Sequence, residues 1–145
     1  VAGLVAITPA SGFVGPVAAI AIGFVVSFFS YGAILLKSRL GYDDALDVVG
    51  VHFVGGSWGA LATGLFASTA VNAAGADGLF AGGGLALLGK QFVGVISTAA
   101  YSLVVTLVIL LLVRLVVPLR VSAEDETVGL DLSQHGELGY NLEAV

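Results

Sequence analysis

Three stretches without a single charged side chain dominate this sequence: Val1 to Leu36, Val48 to Ala76 and Gln91 to Val113. A bilayer core of about 30 Å is crossed by roughly 20 apolar helical residues. The last two stretches exceed that length, and the first holds one span and part of another. The whole chain is 58% hydrophobic and 10% charged, with a mean hydropathy of +1.07. Soluble domains carry about 25% charged residues, so a water-soluble globule is excluded. So is a disordered chain, which is polar and highly charged. The 21 glycines show no every-third-residue period, which removes collagen. The chain reads as an all-α membrane protein.

Breakers between the apolar runs set the expected elements. Thr8-Pro9-Ala10-Ser11-Gly12 stops a helix at Pro9 and turns at Gly12. Residues 1–7 are thus expected to be the end of one helix. A second span follows over 16–36, with Pro16 tolerated in its first turn. A third is expected over 44–66 and a fourth over 85–117, joined by a connector rich in Gly and Ala. Gly82-Gly83-Gly84 reads as a breaker at a membrane turn. The first residue is Val1 and no basic-start cleavable signal precedes the apolar sequence. The expectation is therefore the C-terminal part of a longer protein, with three full spans and the end of another.

The basic residues orient these spans. Lys37 and Arg39 follow the second span, and Arg114 and Arg120 flank the end of the fourth. Both pairs fall on one side, which the positive-inside rule makes cytoplasmic. Lys90 lies on the other side, where it can snorkel to the interface. Residues 1–120 form the membrane part and residues 121–145 an acidic cytoplasmic tail. That tail carries Glu124, Asp125, Glu126, Asp131, Glu137 and Glu143 and no Lys or Arg. Ser122 with Asp125, and Asp131 with Gln134, have the spacing of capping pairs that start short helices.

Ionisable groups inside a span are expensive and usually face a bundle interior or a cavity. Asp43 and Asp44 are expected at the inner interface, with the acids at the positive end of the third helix. His52 then lies eight residues beyond Asp44, about 12 Å deeper. Gly56, Gly59 and Thr63 follow it at helical spacing and share its face, and Gly55 with Gly59 allows close helix approach. His52 either lines a pore or bonds to a neighbouring helix. Apolar surroundings favour its neutral form, which both donates and accepts a hydrogen bond. Asp47, near the inner edge, is either a substrate or proton acceptor, or a carboxylate that caps backbone donors or pairs with a basic loop residue. Trp58 is expected to pack or to anchor at the interface, and Thr8 to serve its turn or an outer vestibule.

Catalytic constellations are missing from the sequence: it has no nucleophile–base arrangement, phosphate loop after a strand or paired pocket carboxylates. The chain reads as no enzyme and calls for no cofactor. Cysteine is absent, and the second histidine, His135, lies in the tail, so a metal site is not expected. Nucleic-acid binding is excluded by the few, scattered basic residues.

The segment from Asp43 to His52 (Asp-Asp-Ala-Leu-Asp-Val-Val-Gly-Val-His), followed by Gly55-Gly56-Ser57-Trp58-Gly59-Ala60-Leu61 and Thr63-Gly64-Leu65-Phe66-Ala67, resembles the tenth membrane helix of the ammonium transporter (Amt/Mep/Rh) family. Ala6-Ile7-Thr8-Pro9-Ala10-Ser11-Gly12 resembles its turn between helices 8 and 9. Gly129-Leu130-Asp131-Leu132-Ser133-Gln134-His135-Gly136-Glu137 with Tyr140 is similar to its tail signature. The order and spacing are closest to the Amt branch.

That resemblance implies the C-terminal fragment of an eleven-helix fold, from the end of helix 8 to the cytoplasmic tail, in a plasma-membrane homotrimer. Ammonium would be captured outside and deprotonated, and ammonia would pass a lumen lined by two histidines. His52 matches the second of these, Val48 lines the inner lumen, Thr8 lies near the outer path, and Asp47 is chiefly structural. Gly129, Asp131, Ser133, His135 and Gly136 mark a regulatory tail, with Ser133 a phosphorylation candidate and a PII-type signal protein the implied partner. Phe53 departs from the family's usual glycine and Val49 from its common phenylalanine. The partner histidine and the outer recruitment site would lie upstream of Val1. The alternative function is an ammonium sensor on the same fold. An aquaporin-like channel is disfavoured because no Asn-Pro-Ala motif occurs.

Overall fold

The computed structural model describes residues 1–140 of the chain; the end of the tail, including Glu143, lies outside the described residues. Two compact units divide the chain, Val1–Ala100 and the part from Tyr101 onward. The first holds α1 (Ala2–Ile7), a 3-10 turn (Thr8–Ala10), α2 (Pro16–Leu40), α3 (Val49–Phe66) and a second 3-10 turn (Leu79–Ala81). Helix α4 (Ala86–Arg114) begins in this unit and ends in the second. The second unit then holds α5 (Ala123–Val128) and the single wide turn α6 (Asp131–His135). Helices α2, α3 and α4 are each long and apolar enough to cross a membrane.

Local chemistry fixes where the helices begin and end. Pro16 opens α2 behind an extended Gly15, which loses nothing because the first amides of a helix have no partner. Gly41 closes it in the left-handed region at φ 68°, its N–H returning to the Lys37 carbonyl at 2.9 Å. Lys37 and Arg39 occupy the last turn, where cations suit the negative helix end. The helix thus outlasts the apolar run that ended at Leu36. At the other end of the chain α4 stops at Arg114, three residues short of Val117, as Leu115 and Val116 tighten to i→i−3 bonds before Pro118.

The third helix begins at Val49 rather than near Asp44. Asp44 turns its carboxylate onto the amides of Val48 (2.8 Å) and Val49 (2.9 Å), and a side chain so engaged favours the cap over the helix interior. Asp47 sits at φ 56°, a left-handed conformation that Asp tolerates but a helix does not. Residues Val49–Val54 then form a π-type turn before the α-helix resumes over Gly55–Phe66.

Small residues build the core. Ala6, Ala10, Ile22, Val26 and Ala62 are fully buried, with Trp58 and Phe66 packed against them. In lipid there is no hydrophobic drive between apolar helices, so close packing takes over, and small residues permit it. A Cβ on Gly59 would lie 2.2 Å from the Ala6 carbonyl oxygen, and one on Gly64 would lie 2.6 Å from the Leu88 Cα. The edge-to-face pair of Trp58 and Phe29, with ring centroids 5.2 Å apart, and an indole N–H donated to the Ile22 carbonyl at 3.1 Å tie α3 to α2.

The two glycines of the Gly55/Gly59 pair should therefore respond differently to a methyl group. At Gly55 the nearest atoms would be side-chain carbons at 3.5 and 3.6 Å, ordinary contact. Gly59→Ala is expected to destabilise the purified membrane protein by about 1–3 kcal/mol or more, because the obstacle is backbone. Gly55→Ala should leave its thermal transition in detergent within about 0.5 kcal/mol of the parent. Equal melting of the two variants would refute the close approach.

Candidate functional site

The N-terminal end of α3 and the loop before it carry most of the singled-out polar residues. In the loop between α2 and α3, the Lys37 ammonium pairs with the Asp47 carboxylate and also donates to the Asp44 carbonyl oxygen at 2.8 Å. The same Asp44 accepts the Val49 and Val48 amides through its two carboxylate oxygens. Those hydrogen bonds, the Val49 amide first, hold the Asp44 carboxyl below its ordinary range. Behind Asp47 the chain re-enters the helix, the Val51 N–H donating to the Asp47 carbonyl at 2.8 Å. Lys37, Asp44 and Asp47 thus each have partners across the α2–α3 corner.

The wide turn at Val49–Val54 changes which residues share a side. A strict α-helix would put His52 with Gly59 and Thr63. The extra residue per hydrogen-bonded ring in a π-turn shifts that register. Gly50, Gly55, Gly59, Ala62 and Thr63 are buried against the chain's own helices. A Cβ on Gly50 would touch the Ile34 side chain at 3.0 Å. His52 is exposed, together with Val48 (46%), Val49 (39%) and Phe53 (56%). Within the described residues its imidazole has no hydrogen-bond partner. Within this chain the glycines pack and the imidazole stands on an uncovered side. Phe53, which replaces the glycine the resemblance leads one to expect, projects beside it without disturbing the glycine contacts.

Thr8 lies in the 3-10 turn after α1, its hydroxyl donating to the Leu4 carbonyl at 2.7 Å. The hydroxyl is exposed and keeps its acceptor capacity. On the connector after α3, Asp77 accepts the Thr69 amide at 2.7 Å and its hydroxyl at 3.0 Å, closing that loop on itself. Sequence reasoning named Lys37 for topology and offered Asp47 an unspecified basic loop partner, and Lys37 is that partner. The signal that finds it is a lysine in the last turn of a helix with acids seven and ten residues on, within reach once Gly41 reverses the chain.

In the second unit the tail folds through its own side chains. Ser122 caps α5, its oxygen accepting the Asp125 N–H at 3.1 Å. Three acids in the first turn suit the positive helix end. Arg120 grips Glu126 with two N–H donors at 2.6 and 3.0 Å, which lowers the Glu126 carboxyl. The expected Asp131–Gln134 cap does not form. Asp131 accepts instead from the amides of Leu132 and Gly139, each at 2.9 Å, so its carboxylate closes a loop rather than starting a helix. Left-handed Gly136 (φ 68°) turns the chain within that loop. The Ser133 hydroxyl donates to the Asp125 carbonyl at 3.3 Å, linking α6 to α5, and His135 is exposed. Among the described residues no group of three or more acidic or histidine side chains could hold a metal ion.

Comparison with known proteins is consistent with these motifs. The profile of the Ammonium Transporter Family matches residues 1–140. An ammonium transporter of Bacillus subtilis is 52% identical over 141 residues, covering 97% of this chain and 35% of that protein. One from Aquifex aeolicus is 51% identical over 143 residues, covering 98% and 33%. The crystal structure of Saccharomyces cerevisiae Mep2 superposes with a TM-score of 0.71 at 38% identity, over 99% of this chain and 33% of that one. The chain spans about a third of the length of these relatives.

The tail loop gives a pH test. Hydrogen bonds from Gly139 and then Leu132 hold the Asp131 carboxyl below its ordinary value of 3.8. A depressed acid contributes stability above its unfolded pKa and loses it as pH falls through the folded one. Amide exchange at Gly139 should therefore be slow at neutral pH and should accelerate, beyond the intrinsic pH effect, only below the ordinary carboxylate range. Fast exchange at pH 7 would show that the loop is not closed.

Proposed function

The chain belongs to the ammonium transporter family, and from that premise we propose that it forms part of a channel-like pathway carrying ammonium, as ammonia, across the cell membrane. The observation that carries this reading is His52, exposed on a helix otherwise packed through glycine. An imidazole left uncovered by its own chain inside a membrane span needs a polar neighbour or a polar path. Val48, one turn before it and also exposed, supplies an apolar wall. Such a wall excludes a solvated cation and admits a small neutral molecule, and a neutral imidazole can hand hydrogen bonds on as that molecule passes. The groups that capture and deprotonate ammonium, and the second histidine, would come from the rest of the full-length protein. Thr8 contributes at the outer end of the path, and Asp47 acts through structure at the inner end.

The apolar side chains left uncovered on α2 and α4, Phe24, Phe28, Leu103 and Leu107 among them, suit contact with lipid, with further helices and with the other subunits of a homotrimer. The tail belongs on the cytoplasmic side by the positions of Lys37, Arg39, Arg114 and Arg120. Its side-chain-built loop supports a regulatory role for Gly129, Asp131, Ser133, His135 and Gly136, with a PII-type protein as the partner. A phosphate on Ser133 would remove its hydrogen bond to α5 and add negative charge to an acidic segment.

In the full-length protein His52→Ala should lower ammonium uptake by about tenfold or more, since a partner group loses its hydrogen bond in a dry path. Assembly should be unchanged by gel filtration. His52→Glu should keep part of the flux and admit cations, read as current. Normal uptake by a well-folded His52→Ala protein would remove His52 from the path.

A further inference from the structure

We propose that Lys37 is a positioning residue for the conduction path, setting the inner end of α3 and through it the placement of Val48 and His52. The inference rests on the reading of those two residues as pore-lining. Lys37 stands on α2, yet both its acceptors, the Asp47 carboxylate and the Asp44 carbonyl, lie in the segment that leads into α3. Asp44 in turn fixes the amides of Val48 and Val49, and the Asp47 carbonyl accepts the Val51 amide. One ammonium therefore governs the segment whose next turn presents Val48 and, four residues later, His52.

Two features make this segment depend on the lysine. Asp47 holds a left-handed backbone at φ 56°, which a non-glycine residue keeps only where its surroundings impose it. The turn that follows is of the wide π type, so after the single Val51–Asp47 bond the helix runs through Val54 without the regular i→i−4 ladder that would define its register. Packing at this end includes Gly50, where the chain meets Ile34 and the Ser30 carbonyl. With Lys37 gone, Asp47 loses the cation that holds its carboxylate over α2, and only the backbone bonds to Asp44 and Val51 and the Asp44 cap are left to keep its φ. The register of Val48 and His52 against the rest of the path then loosens.

The test uses the full-length protein that contains this chain, with two readouts. Uptake of labelled methylammonium per folded molecule should fall about tenfold in Lys37→Met with little change in the half-saturating concentration, as expected for misplacement rather than lost affinity. Lys37→Arg, which reaches both acceptors and keeps the charge, should retain most of the rate. Independently of transport, a single cysteine placed by Val48→Cys should react with a water-soluble maleimide at a rate altered about threefold or more by Lys37→Met. Asp47→Asn, which still tolerates the left-handed backbone, should reproduce both effects and replaces Lys37→Met if that variant does not accumulate. The proposal is overturned if either readout stays at the parent value, if Arg fails to rescue, or if neither variant folds, since Lys37 would then be purely structural. A parent protein that takes up no methylammonium defeats the transport reading instead, and the labelling rate alone then decides the role of Lys37.

Discussion

Gly59 lies so near the Ala6 backbone that a hydrogen is the largest group its Cα can carry there. Much of the first unit depends on that approach. Helix α1 (Ala2–Ile7) lies on a flat strip of Gly55, Gly59 and Ala62 that α3 offers it, and α2 closes the third side with Ile22 and Val26. Dispersion over closely matched surfaces takes the place of water exclusion where the solvent is hydrocarbon. The same strip leaves the far side of α3 uncovered, and there His52 and Phe53 appear. Packing and site are thus two sides of one helix.

The membrane class and the long helices were legible because charge is scarce and falls between the apolar runs. Pro16 and Gly41 bracket α2 by backbone chemistry that a sequence states openly. The start of α3 was not legible. Asp43, Asp44 and Asp47 look like an acidic first turn, and nothing in their spacing separates an acid inside a helix from one that caps it from outside. The decision rests on Lys37, brought alongside by the reversal at Gly41. The π-turn escaped for a related reason: hydrophobic periodicity assumes a constant 3.6 residues per turn, and Val49–Val54 departs from it. His52 could be named from its neighbours, while the side it faces needed the backbone.

The tail shows the same division. Ser122 with Asp125 forms the cap its spacing suggests, because α5 continues long enough to supply the amides. Asp131 with Gln134 has equivalent spacing, yet α6 is a single turn ended by left-handed Gly136. Its carboxylate finds the Gly139 amide across the returning chain instead. A capping pair in sequence is a statement about the helix after it as much as about the two residues.

The Asp131 loop joins residues no more than eight positions apart. Contacts so local need no help from distant parts of the chain, and a loop of about ten residues closes in roughly 10–100 ns. Low contact order makes such a unit quick to assemble and quick to reassemble. It can form as soon as its residues leave the ribosome, before any neighbouring element is in place. In the folded chain the same locality makes opening of the loop reversible, with no memory of the open state carried forward.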